Sequence, residues 1–249
     1  MAQVEIIAAN LNSKKENSVI NNLKKVCAYA RVSTDSEEQL TSYSSQIKYY
    51  SDKIKSNHTG NSKTDNTKEY SNLLEQDFFA EKPSQKWAGD ITYIYTKETG
   101  WTYLAIVMDL FDLKIVGWQY GINMTDDLVV EAFKKANVNR GLNKEGIFHS
   151  DRGSQYTSND FEYLLEKLEI KHSYSKKGYP YDNASMESFN AILKKEEVNV
   201  NNYETFNEAK LAIFEFIESW YNNQRIHSTI GYITPNEKYN NYIAKLALV

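Results

Sequence analysis

The chain has 249 residues, a formal net charge of −4 and 41% hydrophobic residues. That length suits one sizeable domain with an appendage, and the lack of any apolar run of about 18 residues excludes a membrane-spanning protein. The acidic balance argues at first sight against nucleic-acid binding. The start, Met1-Ala-Gln-Val-Glu-Ile-Ile, has no basic segment followed by an apolar core, so it does not read as a secretory signal. A single cysteine, Cys27, rules out an internal disulfide framework and fits a reducing cytosol.

In chain order, residues 1–22 are polar and weakly patterned. Val26 to Val32 predicts a short strand. Asp35 to Lys55 predicts an amphipathic helix, with Leu40, Tyr43, Ile47, Tyr50 and Ile54 at three- and four-residue steps. Residues 58–70 hold almost no large apolar side chain and read as a flexible linker. Strands follow near 90–96, 102–110 and 113–120, with Thr99-Gly100 as the clearest hairpin signal. A helix near 126–138 starts at Asp126-Asp127, whose charges suit a helix N-terminus. A strand near 145–151 then delivers Asp151, a helix near 158–169 begins at Ser158, and a short strand lies near 171–175. After the loop at Gly178-Tyr-Pro180, a helix near 183–197 carries Glu187. A last helix, about 204–222, has Phe206, Ala209, Ile213, Phe216, Ile217 and Trp220 on its apolar stripe. Three antiparallel strands followed by alternating helices and strands predict an α/β fold: a mixed sheet with helices on both faces.

Three carboxylates stand out. Asp90 opens the run Asp90-Ile-Thr-Tyr-Ile-Tyr95. Asp151 closes Gly146-Ile-Phe-His-Ser-Asp151, and Glu187 sits near the start of its helix, with 35 residues between it and Asp151. Two acids at strand ends and one on a helix can converge on a point. Converging carboxylates repel unless cations lie among them. Hard oxygen ligands suit magnesium or manganese, and paired ions of this kind drive in-line displacement at phosphorus.

Around these acids the local sequences run in a recognisable order. They are Lys82-Pro-Ser-Gln-Lys-Trp87, Asp90-Ile-Thr-Tyr-Ile94, Tyr103-Leu-Ala-Ile-Val-Met-Asp-Leu-Phe111, His149-Ser-Asp-Arg-Gly-Ser-Gln-Tyr156, Tyr181-Asp-Asn-Ala-Ser-Met-Glu-Ser-Phe189 and Tyr221-Asn-Asn-Gln-Arg-Ile-His227. From about Tyr70 to Tyr242 the chain resembles the integrase-type catalytic core of bacterial insertion-sequence transposases. These are the second-reading-frame type with a D,D-35-E triad shared with retroviral integrases. Ala88-Gly89 departs from the pattern, which commonly has a threonine next to the first acid. The resemblance implies a ribonuclease-H-like fold over 71–242, with Asp90, Asp151 and Glu187 as catalytic residues holding two Mg²⁺ or Mn²⁺ ions. It implies a DNA strand transferase acting on element ends and target, a homo-oligomer on DNA, and a helix-turn-helix partner from an upstream reading frame. The location it implies is the bacterial cytoplasm at the nucleoid. Retroviral integrases also carry a His-His-Cys-Cys zinc module, which one cysteine and four scattered histidines cannot build.

The first 57 residues point elsewhere. Lys24-Lys-Val-Cys-Ala-Tyr-Ala-Arg-Val-Ser-Thr-Asp35 resembles the amino terminus of a large serine recombinase, whose nucleophile and arginine would be Ser33 and Arg31, with Tyr29 beside them. A serine attacking phosphate needs several arginines, and the similarity stops before the family supplies them. The expectation is an inactive, truncated fragment over 1–57.

Further residues carry weaker expectations. Lys194 lies seven residues after Glu187, about two helical turns or ~10 Å along the same face, and a cation there can hold a DNA phosphate. Lys195, Arg152, Lys176, Lys177, Tyr181 and Asn183 are the other candidate DNA contacts, with Asn183 alternatively the N-cap of the Glu187 helix. His149 either positions Asp151, touches DNA or is a satisfied structural histidine. Asp109, Asp112, Asp126 and Asp127 read as solvent-facing or capping acids at turns, and Trp87, Trp101, Trp118 and Trp220 as core. Two other functions fit the sequence: a ribonuclease-H-like nuclease, and a catalytically silent DNA-binding or dimerising remnant that interferes with an intact transposase.

Overall fold

The computed structural model describes residues 70–176 and 180–247, all within the unit Glu69–Val249. The amino-terminal strand and helix expected from the sequence, and with them Arg31 and Ser33, lie outside the described residues.

Five strands form one mixed sheet: β1 (Lys86–Thr96), β2 (Gly100–Asp109), β3 (Ile115–Gly121), β4 (Ile147–Ser150) and β5 (Lys171–Tyr174), in the order β3-β2-β1-β4-β5. β1 pairs antiparallel with β2, and β2 with β3. β4 runs parallel to both β1 and β5. The β1–β2 hairpin closes through residues 97–99, and Gly100 takes φ +79°, a conformation that only glycine adopts without strain. Among the described residues, five α-helices pack with the sheet: α1 (Asp126–Asn139), α2 (Asn159–Lys167), α3 (Ala184–Leu193), α4 (Phe206–Phe214) and α5 (Pro235–Leu246).

The period-two pattern of the strands divides the core between two faces. Ala88, Ile94, Leu104, Ile106 and Met108 face α3 and α4, where Met186, Phe189, Leu193, Ala209 and Ile213 meet them. Trp87, Ala105, Val107 and Val116 face α1 and α2. There Phe133 is fully buried, with ring centroids 5.2–5.7 Å from Phe148, Trp87 and Phe161. Burying such a ring contributes about 1.5–3 kcal/mol. Gly117 allows the closest approach of sheet and helix, since a Cβ there would lie 2.4 Å from the Ala132 carbonyl oxygen.

Helix starts follow their side-chain chemistry. Ser158 Oγ accepts the Phe161 N–H at the head of α2. Capping boxes open α4 (Thr205 with Glu208) and α5 (Thr234 with Glu237), the latter with Pro235 in its first turn. The Glu187 helix has about the expected length, but its α-helical part ends at Leu193 and a wider π-helical turn continues it to Val198. The last long helix likewise passes into a π-helical stretch, Glu215–Tyr221. The altered spacing leaves Trp220 43% exposed and buries Tyr221, so the expected stripe breaks there. Trp101 is also exposed at 37%. Trp87 is core, and Trp118 is half-buried with its indole N–H donating to Glu218.

Asp109 and Asp112 depart most from expectation. Both are fully buried, and the Arg140 guanidinium bonds each of them, at 3.0 and 2.7 Å. Asp109 also accepts the Ser84 and Phe111 N–H groups. A turn at the end of a strand would leave such acids in water, but the chain from α1 returns Arg140 over this turn and encloses them. Asp126 and Asp127 are exposed in the first turn of α1, as expected.

Candidate active site

Asp90 lies inside β1, as its fifth residue, rather than at the head of a strand. The parallel register pairs Ala88 with His149. Two residues further on, that register sets Asp90 beside Asp151, the residue directly after β4. Ala88 and Ile94 project toward α3 and α4, so Asp90, on the same alternation, faces α3. There Asn190 Nδ2 donates to Asp90 Oδ2 at 2.7 Å. Asp151 is exposed, and its Oδ1 accepts the Gly153 N–H at 2.9 Å. Glu187 is exposed in the first turn of α3, one helical turn before Asn190.

Electrostatics tie the three acids together unequally. Burial pushes the Asp90 carboxyl up to about 7, and the Asp151 charge adds to this. Hydrogen bonds from the Ile91 N–H and Asn190 oppose it, and Glu187 contributes least. Glu187 itself is raised by desolvation. Tyr156, 2% exposed, lies close to the pair, and burial together with the charges of Asp90 and Asp151 holds its phenol protonated. At Gly89 a Cβ would stand 2.5 Å from Phe148 Cζ and 3.1 Å from the Tyr156 hydroxyl, so these side chains would have to shift to admit a threonine before Asp90.

The donor set fits a hard divalent cation. Asp90 and Asp151 supply adjacent carboxylates, and Asn190 Oδ1 is a buried oxygen with no hydrogen-bond partner among the described residues. Among the described residues, no three His, Cys, Asp or Glu side chains gather tightly enough to hold one ion.

The remaining expected residues fall in different places. Lys194 is half-buried, its ammonium donates to the Tyr93 carbonyl oxygen, and burial lowers it to about 8. Its side chain thus reaches onto β1 as well as lying on the Glu187 face. Lys195 and Lys176 are exposed, and Tyr181 is 73% exposed. Arg152 donates to the Ser175 and Tyr70 carbonyl oxygens and lies 5.6 Å from the centre of the Tyr70 ring. Lys177 lies outside the described residues. Asn183 holds the N-cap position of α3 without a capping bond. It is buried and donates to the Gly89 carbonyl oxygen, because the preceding 3₁₀ turn (Pro180–Asn183) turns it toward β1. His149 is fully buried between Ser173 (2.8 Å) and Ser175 (3.0 Å), and burial lowers it to about 4. It is the satisfied structural histidine of the three alternatives. Sequence reasoning missed Asn190 and Tyr156. The i, i+3 spacing of Glu187 and Asn190 was a readable signal for the first, while nothing local marked the second.

Residues 80–180 and 168–235 each match a family described as integrase core domain. The chain is 46% identical over 171 residues to a transposase for insertion sequence element IS904 of Lactococcus lactis, covering 68% of this chain and 67% of that one. It is 42% identical over 173 residues to transposase InsF for insertion sequence IS3A of Escherichia coli, covering 70% and 60%. The chain thus spans about two thirds of the length of these curated relatives. Among solved structures it is similar to a chain of the simian T-cell lymphotropic virus intasome in complex with PP2A regulatory subunit B56 gamma. The TM-score is 0.53 and the identity 21%, covering 64% of this chain and 55% of that chain. The fold is ribonuclease-H-like, of the retroviral-integrase catalytic-core type. Placed on that fold, and with that degree of identity to two bacterial transposases, the chain belongs to the insertion-sequence transposases with an integrase core domain.

Proposed function

We propose that this chain is a metal-dependent DNA strand transferase, with Asp90, Asp151 and Glu187 as its catalytic acids and Mg²⁺ or Mn²⁺, two ions in the active state, as its cofactor. One observation carries the reading. The parallel register of β1 and β4 sets Asp90 beside Asp151, and burial first and then the Asp151 charge push the Asp90 carboxyl up to about 7. Such a pair is unfavourable unless a cation neutralises it. Glu187, on the facing helix, is the third acid. When bound, the cations supply charge neutralisation and nucleophile activation at phosphorus.

The chain's own groups do the rest. Asn190 holds Asp90 through one oxygen. The buried Phe148 and Tyr156 pack behind β1 at Gly89, on the face of the sheet opposite Asp90. Exposed Lys195, Lys176 and Tyr181, with Arg152 and the remaining N–H groups of Lys194, are the proposed contacts to DNA phosphates and bases. The first displacement uses water to nick an element end, and the second uses the released 3′-hydroxyl against target DNA. No covalent protein–DNA intermediate is involved. The resemblance read in the sequence further supports a helix-turn-helix protein that recognises the ends and a homo-oligomer assembled on DNA. Among the described residues no helix is long and apolar enough to cross a membrane.

The test is strand cleavage and joining on oligonucleotides carrying the element's own ends, with Mn²⁺ and any upstream helix-turn-helix protein added. Asp90→Asn, Asp151→Asn and Glu187→Gln should each cut product at least about 100-fold, since each keeps shape and discards a charge. Product that survives Glu187→Gln unchanged would refute the triad. Full-length protein inactive under all these conditions would favour the interfering remnant.

A further inference from the structure

Behind Asp151 lies a chain of polar groups that the proposed reaction does not use. Ser150 ends β4 fully buried, and its hydroxyl donates to the Asp151 main-chain carbonyl at 2.9 Å. The same oxygen lies 3.0 Å from His172 Nε2 on β5. His172 Nδ1 lies 2.9 Å from Glu162 Oε1 on α2, and the Tyr174 hydroxyl donates to that same carboxylate oxygen. His172 is held in place by stacking on Tyr174, with ring centroids 3.9 Å apart, and by the Phe148 and Phe161 rings at 5.7 and 5.6 Å. The three groups therefore form an unbroken hydrogen-bonded line from a helix, across a sheet edge, to the backbone of a proposed cation-binding acid.

Geometry gives this line a job. Asp151 stands one residue past the last β4 ladder position, so the sheet itself no longer fixes its backbone. Its peptide carbonyl is tied by Ser150, and its carboxylate accepts the Gly153 N–H. The first bond orients the residue and the second orients its side chain. The Ser150 hydroxyl spends its proton on the Asp151 carbonyl and keeps lone pairs for the ring, so the Ser150–His172 bond runs from Nε2–H to Ser150 Oγ, while Nδ1 lies against the Glu162 carboxylate. A serine, histidine and acid in this order resemble hydrolase machinery. Ser150 is sealed from solvent, however, and its proton is committed to Asp151, so the line acts on position rather than as a nucleophile.

We infer that His172 is a positioning residue for Asp151, acting through Ser150 and anchored by Glu162. The inference rests on the reading of Asp151 as a cation-binding acid, and groups behind such ligands commonly tune metal affinity or activity about 10–100-fold. The variants are Ser150→Ala, His172→Leu, Glu162→Gln and the double variant Ser150→Ala/His172→Leu, all in the full chain. Two measurements are made at a temperature where each is folded by circular dichroism. Amide hydrogen exchange by mass spectrometry should speed up several-fold over peptides spanning 151–157 in each variant while β1 peptides stay unchanged. Mn²⁺ affinity by calorimetry should fall about 10-fold in Ser150→Ala, and no further in the double variant, because both substitutions break one line.

Unchanged exchange over 151–157 would overturn the inference whatever the metal does. So would full Mn²⁺ affinity in Ser150→Ala where Asp151→Asn has lost it, or additive losses in the double variant. A wild-type chain that binds no Mn²⁺ would instead count against the proposed function, and exchange alone would then judge the line. Ser150→Ala deletes one oxygen and leaves the ring stack intact, so it remains informative if His172→Leu fails to fold.

Discussion

Replacing Arg140 with methionine isolates the buried cluster it forms with Asp109 and Asp112. One guanidinium nitrogen bonds Asp109 and Asp112 at 3.0 and 2.7 Å, with all three side chains 0–6% exposed and the Tyr239 ring 4.2 Å from the guanidinium carbon. Methionine keeps the bulk and removes the charge, leaving two buried carboxylates without their cation. Breaking a buried pair from one side costs about 3–5 kcal/mol. A domain of 150–250 residues loses about 2–4 °C per kcal/mol, so the melting temperature should fall by roughly 6–20 °C. Burial already raises Asp112 to about 6 against the pull of Arg140, and without the arginine it rises further. For a carboxyl whose folded value lies above its unfolded one, stability is greatest at low pH and is lost as pH rises through the folded value. The deficit should therefore be smaller at pH 5 than at pH 8. Adding Asp112→Asn should recover part of the loss, since the amide oxygen can still accept the Lys114 N–H that Asp112 now takes at 3.0 Å. Calorimetric scans of wild type, single and double variants across pH supply the check. A shift under about 2 °C at pH 8, or a double variant less stable than the single one, would refute the argument.

Gly89→Ala should destabilise the domain by about 1–3 kcal/mol in urea unfolding, because its Cβ would press on Phe148 and Tyr156 behind β1; a neutral result would mean that these two side chains shift without cost. His227 is buried and lowered to about 4 by burial first and then by Arg225. Its contribution to stability should be present above about pH 6.5 and lost as pH falls toward 4. A His227→Phe variant should lose stability less steeply than wild type over that window in parallel urea titrations, and parallel slopes would contradict this.

The apolar run from Asp90 to Tyr95, the turn at Thr99-Gly100 and the acidic start of α1 at Asp126-Asp127 pointed to the element order and the class of sheet without any tertiary information, because those signals are local. The three acids are proposed on their joint spacing and on the ordered local sequences that carry the resemblance, since each acid taken alone reads as an ordinary turn or helix-start residue. Asp109 and Asp112 were misread as surface turn acids because their partner, Arg140, comes from the end of a helix 28 residues beyond Asp112, and local sequence carries no sign of who encloses a turn. The expected helices 183–197 and 204–222 match the helical spans 184–198 and 206–221, but the π-helical geometry of their last turns, which shifts Trp220 off the apolar stripe, is something a 3.6-residue period cannot foresee. His149 had three readings in sequence, and only the pairing of β4 with β5, which brings Ser173 and Ser175 to its two ring nitrogens, chose among them. The same pairing assembled Glu162, His172 and Ser150 behind Asp151, and the β1–β4 register set Asp90 beside it. Local propensity names the strands, and joint spacing the acids, whereas side-chain proximity across the sheet depends on long-range register and is decided only when the chain folds.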